Sequence, residues 1–173
     1  MDNIQEIFEL RSNKNYSPLI GGIVAQLTLS KLLIIKQILN LKIDQLDFTV
    51  ENHSNTIGTL IKHMIAVEKM HQNIIFFNRR LDEREMSLWG DALPGTIDAT
   101  SIRGNDSRYY FELWEGVRNI TLNELQNKDD QWLYEHPKKP FNTMGNNYFL
   151  LYHTFEDHIA HHGQIKSILK LIH

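Results

Sequence analysis

Apolar residues recur close to helical spacing from Leu19 to Leu41, where Ile20, Ile23, Val24, Leu27, Leu32, Ile34, Ile35, Ile38 and Leu39 sit in a stretch without proline. The pattern predicts a first long helix over these residues. Asp44 to Val50 reads as a connection with Phe48 packing inward. A second helix is expected to start behind a small polar cap at Asn55-Thr56 and to carry Ile57, Leu60, Met64, Val67, Met70, Ile74 and Phe77 on its apolar side, together with His63 and His71. From Arg79 to Ser107 the period dissolves into Trp89-Gly90, Pro94-Gly95 and Arg103-Gly104-Asn105-Asp106, which predicts a long irregular connection. A connection of that length serves as a crossover and lets the second and third helices run parallel.

The third helix is expected from Tyr109 to about Leu125, capped by Asp106-Ser107, with Phe111, Leu113, Trp114, Val117, Ile120, Leu122 and Leu125 buried. Trp132 to Phe141 contains Pro137 and Pro140 and reads as a loop. A fourth helix then runs from Met144 or Asn147 to Ile172. No segment alternates apolar and polar residues over the length of a strand, so the predicted class is all-α, a four-helix bundle with a long crossover between helices two and three.

Length and composition narrow the function more than the fold. The 173 residues suit a single domain spanning 1–173, and 42% hydrophobic with 23% charged residues is the balance of a folded chain. The net charge of -3 is spread over both signs without a basic stripe, so nucleic acid is not an expected partner. Cysteine is absent, which removes disulfides, a protein thiol nucleophile and thiolate metal sites; any metal must be held by His, Asp or Glu. The N-terminus shows no basic region followed by an apolar run, and no stretch reads as the ~18 apolar residues of a membrane span, which points to a cytoplasmic protein without a membrane partner.

The densest chemistry lies in the fourth helix, His153-Thr-Phe-Glu156-Asp157-His158-Ile-Ala-His161-His162-Gly163-Gln164-Ile165. Residues three or four apart share a helix face, so Asp157/His161, His158/His162 and His158/His161 are each spaced to hold one cation or share one proton. Counting back from Ile165, Ile168 and Ile172 puts His158 and His161 on the inward stripe, with Asp157 and His162 on its shoulders. Buried polar groups left without partners cost about 1–3 kcal/mol each, so a metal, a wet pocket or a hydrogen-bond network must satisfy them. His63, beside the inward residues Leu60, Met64 and Val67, supplies a third ligand from a facing helix. His71 reads as a partly buried histidine at another level of the bundle, His153 as a pocket-lining or proton-carrying group, and His53, His136 and His173 as solvated. Glu68 and Glu156 read either as partners that orient the ligands or, more simply, as ordinary solvated carboxylates.

Asn146-Asn147-Tyr148 through Glu156-Asp157-His158-Ile159-Ala160-His161-His162-Gly163-Gln164-Ile165, with Thr56-Ile57-Gly58-Thr59-Leu60-Ile61-Lys62-His63 upstream, resembles the DinB/YfiT-like superfamily of metal-dependent bacterial proteins. The resemblance implies an up-down-down-up bundle, a homodimer, and a divalent ion, nickel or zinc, held by one histidine of helix two and an HxxxH of helix four. Carried over by residue, it makes His63 and His161 ligands and puts Asp157 where the family more often has His. Either Asp157 takes that place, or the frame slips and His158, with His162 a turn further on, enters the sphere. The arginine that the family carries just before the Gly is replaced here by His162.

For function, the resemblance implies a metal-dependent hydrolase or an S-transferase acting on a small molecule with a low-molecular-weight thiol of the bacillithiol type as cosubstrate. The alternative is a non-catalytic metal-binding or stress-associated bundle whose site is structural or lapsed. Arg79, Arg80, Arg103 and Tyr148 are conceivable substrate contacts, although a solvated surface role is the simpler reading. No serine triad, phosphate-binding Gly loop or paired-carboxylate motif supports another enzyme class.

Overall fold

The computed structural model describes residues 8–10, 13–49 and 55–172. His53 and His173, read above as solvated, lie outside the described residues, as does Val50. The described chain is all-α: α1 (Pro18–Ile38), α2 (Ile43–Leu46), α3 (Ile57–Ile75), α4 (Glu83–Trp89), α5 (Ser107–Leu125) and α6 (Asn147–Leu169), with short 3-10 turns at Gly90–Ala92 and Trp132–Tyr134 and no strand among these residues. Four of the helices are the long ones expected. The segment from Arg79 to Ser107 is not wholly irregular, because Asp82 and Glu85 form a reciprocal capping box that starts α4: the Glu85 N–H donates to Asp82 Oδ1 at 2.9 Å and the Asp82 N–H to Glu85 Oε2 at 3.0 Å.

Three of the long helices begin at a side-chain cap. Thr56 accepts from the Thr59 N–H at 2.9 Å, Asp106 from Tyr109 at 2.8 Å and Asn146 from Phe149 at 2.9 Å, caps that contribute about 1 kcal/mol each. At α1 the adjacent Ser17 does not cap. Instead Asp130, from the α5–α6 connection, accepts from the Leu19 and Ile20 N–H groups at 3.0 and 3.2 Å and from the Ser17 hydroxyl. Leaving those donors unpaired at the start of an apolar helix would cost more than the cap itself contributes.

α3 packs against both α6 and α5, and α1 against α6 and α5. Two apolar clusters result. One gathers Ile34, Ile38, Leu60, Met64, Trp89, Trp114 and Ile165, the other Ile20, Leu27, Ile74, Leu125, Leu133 and Leu150. Between them every long helix contributes buried polar residues: Ser30 on α1, Glu68, His71 and Gln72 on α3, Arg118 and Thr121 on α5, Thr154 and His158 on α6. On α5 the phase differs from the expected one, for Phe111 and Ile120 face solvent while Tyr110 and Thr121 are buried.

α1 corrects the expectation that no stretch could span a membrane. Its most apolar 18-residue window has a mean hydropathy of 1.8, enough by length and composition. Here Ile20, Ile23, Leu27, Ile34 and Ile38 of that helix are buried against the rest of the protein.

Candidate metal centre

His63 sits on α3 with its neighbour Lys62, whose ammonium binds the Asp91 carboxylate at 2.7 and 2.9 Å. That ion pair pins the Gly90–Ala92 turn against α3, and the Ala92 carbonyl meets His63 Nδ1 at 2.7 Å. Across the helix pair, Asp157 and His161 stand one turn apart on α6. His63 Nε2 lies 3.7 Å and His161 Nε2 3.1 Å from Asp157 Oδ1. The two imidazoles meet edge to face with ring centres 4.9 Å apart. One ligand atom from each of the three residues falls within 4.8 Å of the others, so the group could hold a metal ion.

The hydrogen bonds on the far side of each ring decide what the near side offers. A carbonyl oxygen can only accept, so His63 Nδ1 carries the proton that Ala92 receives. His161 Nδ1 faces Gln164 Oε1 at 3.1 Å and is a donor for the same reason. In neutral rings both Nε2 atoms then present lone pairs toward the Asp157 carboxylate, an arrangement that is repulsive unless a positive charge lies among them. Asp157 Oδ2 is buried and has no hydrogen-bond partner. Unfilled acceptors of this kind, with imidazoles oriented by carbonyl partners, form a group that could hold a metal ion.

The electrostatics agree. Burial alone would keep the Asp157 carboxyl protonated, but the hydrogen bonds and charges of His161 and His63 hold it well below the usual carboxylate range. Burial likewise opposes a charge on His161, and Asp157 overrides it, raising the imidazole above its ordinary value. A proton on His161 Nε2 would pair that ring with the Asp157 carboxylate, and a metal ion binding there would have to displace it.

The remaining histidines go elsewhere. His158, the rival ligand, lies fully buried in the polar layer, with Nδ1 on the Ser30 hydroxyl at 2.9 Å and its ring edge-on to Trp114. Ser30 donates its own proton to the Leu27 carbonyl at 3.1 Å, which makes His158 Nδ1 the donor and leaves Nε2 without a partner. Burial, then Arg118, lowers His158 to about 3, so it stays neutral. His162 and His161 exchange the places expected for them: His162 is buried on the inward stripe, and His161 is on the half-buried shoulder beside Asp157. His71 is buried, bonded through Nδ1 to Thr154 Oγ1 at 2.8 Å, and lowered to about 4 by burial and then by His153. His153 is half exposed and pairs with Glu156 at 3.2 Å, and His136 is exposed.

Glu68 is not a solvated carboxylate. It is buried, and its oxygens accept from Arg118 Nε and Nη2 at 2.7 and 2.9 Å, from Thr121 Oγ1 at 2.7 Å and from Trp114 Nε1 at 3.2 Å. Although burial works against ionisation, Arg118 brings the carboxyl down to about 2. Sequence reasoning also passed over Gln164 and Ala92, the two groups that orient the imidazoles. Gln164 lies three residues beyond His161, close enough on one helix to have been paired with it; Ala92 acts through its backbone, which no side-chain pattern reveals. Comparison with protein-family models gives no match to this chain, and comparison with curated proteins gives none either.

Proposed function

We propose that the protein is a metal-dependent enzyme of the DinB/YfiT-like kind, which holds one divalent first-row ion, zinc or nickel, on His63, Asp157 and His161 and acts on a small molecule by thiol-dependent S-transfer or by hydrolysis. The observation that carries the reading is the pair of imidazoles, each fixed by a carbonyl acceptor so that its Nε2 lone pair faces a carboxylate with an unfilled oxygen. Two nitrogens and a carboxylate suit zinc or nickel and leave positions for a substrate. An ion bound there supplies Lewis acidity toward a thiol or water at neutral pH.

The chain's own residues do the rest. Ala92 and Gln164 keep both rings in the tautomer that presents Nε2. Asp157 places a full negative charge between them, and His161 gives up a proton when a cation arrives. With no cysteine in the chain, any thiol comes as cosubstrate.

An up-down-down-up order of α1, α3, α5 and α6 belongs to the same proposal. It is supported by the level of the contacts: Ser30 meets His158, Glu68 meets Arg118, His71 meets Thr154, and a side chain at Gly58 would collide with the Tyr110 hydroxyl. The homodimer, the low-molecular-weight thiol and the cytoplasmic location rest on the family likeness and on the composition.

Metal analysis of the purified protein tests the centre. One ion per chain is expected in the wild type and a loss of most of it in His63→Ala and His161→Ala; unchanged stoichiometry in both variants would sink the site. Turnover is then sought by mixing the metal-loaded protein with bacillithiol and a panel of electrophiles and esters, where complete silence favours the non-catalytic bundle.

A further inference from the structure

α3, α4 and the segment ahead of α6 enclose a cavity of about 540 Å³, within the range of roughly 300–1,000 Å³ of small-molecule sites. Its wall shares two elements with the histidine–aspartate group, α3 and the turn that carries Ala92. Leu93 on its wall follows Ala92, whose carbonyl holds His63, and Met70 on the same wall lies two turns along α3 from His63, about 10 Å at the helical rise.

The lining is apolar, with Ile74, Leu93 and the methionines Met70, Met86 and Met144, and no carboxylate contributes to it. Methionine thioethers adapt to ligands of differing shape and pack well on aromatic or aliphatic bodies. Two arginines also border the cavity, and they differ. Arg79 is committed to Glu85 through paired bonds of 2.6 and 2.8 Å. The Arg80 guanidinium has no ion pair or hydrogen bond among the described residues.

A positive charge without a partner among the described residues, at the edge of a methionine-lined hollow, favours one ligand chemistry. We infer that the cavity binds a small amphipathic carboxylate, its apolar body against Met70, Met86 and Met144 and its head group on Arg80, and that it is the substrate subsite of the neighbouring centre. The subsite role rests on the metal-centre reading; the binding role does not.

The test uses the full chain with methyl-labelled methionine and sodium octanoate as probe, followed by carbon–proton NMR. The Met70, Met86 and Met144 methyls are expected to shift together and saturably, while Met64, buried in the core, stays still. Octanoate should bind more tightly than octan-1-ol, and Arg80→Gln should weaken octanoate by up to about five-fold, the scale of an exposed ion pair, without weakening octan-1-ol. His63→Ala should bind octanoate as the wild type does, so a failed metal centre leaves this result standing. Comparing nickel-loaded with zinc-loaded protein, bound octanoate should show paramagnetic broadening, and its absence would overturn the subsite role. Motionless cavity methyls, movement of Met64 with the rest, or an octanoate preference that survives Arg80→Gln would overturn the inference, even with the metal site proven.

Discussion

Two carboxylates, Glu68 on α3 and Asp157 on α6 facing α3, are treated in opposite ways. Glu68 is surrounded by donors: Arg118 binds it with two nitrogens, Thr121 and Trp114 add two more bonds, and Arg118 itself is anchored to the Leu27 carbonyl at 2.7 Å. Asp157 faces the Nε2 atoms of two imidazoles that donate through Nδ1 on the opposite side, and its second oxygen is buried with no partner among the described residues. A charge so fully paired pins α3 to α5 and has no capacity left for a ligand. One left open between two imidazole nitrogens leaves a place that could hold a metal ion. Glu68 is fully buried and Asp157 partly so, and what separates them is the count of filled acceptors.

The largest effect expected from this contrast is on stability. Arg118→Ala strands the Glu68 charge and should cost about 3–5 kcal/mol in urea unfolding, with metal content unchanged in whatever protein folds. Asp157→Asn should behave in reverse, weakening zinc by more than about 100-fold in a competition titration while changing the stability of the metal-free protein by no more than about 1 kcal/mol. If Asp157→Asn proves as destabilising as Arg118→Ala, the two carboxylates are alike and the contrast fails. Next in size is Gln164→Ala, which frees the His161 ring and should lower zinc affinity about 10-fold. His158→Leu should leave metal content intact, since that ring is bonded to Ser30 and lies apart from the triad.

The smallest effect concerns pH in the metal-free protein. Glu68 and Asp157 are held below the unfolded carboxyl value, so what they contribute to stability is present above about pH 4 and fades as pH falls, for Glu68 through about 2. His161 is raised, so its contribution is complete below about pH 6.5, the ordinary histidine value, and disappears as pH rises through the folded value. Thermal melts should therefore lose up to about 1 kcal/mol on the alkaline side, and Asp157→Asn should remove that slope. Zinc binding runs the other way and tightens as pH rises, because the His161 proton competes with the ion.

The long helices are legible because each supplies several turns of apolar spacing, three of them behind a Thr, Asp or Asn cap. α2 and α4 are not, for Ile43–Leu46 and Glu83–Trp89 are too short to show a period. The signal that α4 did carry was chemical, the Asp82-Glu85 capping box. On α6 the period itself misled. Phe149, Tyr152 and Ile159 face solvent, so the apolar stripe is blurred and its phase slips by one residue, which exchanged the places of His161 and His162. Glu68 was misread because its partner Arg118 lies on another helix, with nothing local to announce it. Likewise the Ala92 carbonyl reaches His63 only through the Lys62–Asp91 ion pair. His63 is legible from its place beside an inward stripe, but spacing on α6 leaves three pairs open, and only the family resemblance selects Asp157 with His161.

Anomalous scattering from zinc-soaked crystals, recorded on both sides of the zinc edge, tests the central claim most directly. The account predicts one strong peak per chain, about 2.0–2.2 Å from His63 Nε2, His161 Nε2 and an Asp157 oxygen, with His158 still on Ser30. A peak held by His158 or His162 in place of Asp157, or no peak between α3 and α6 at saturating zinc, would contradict it.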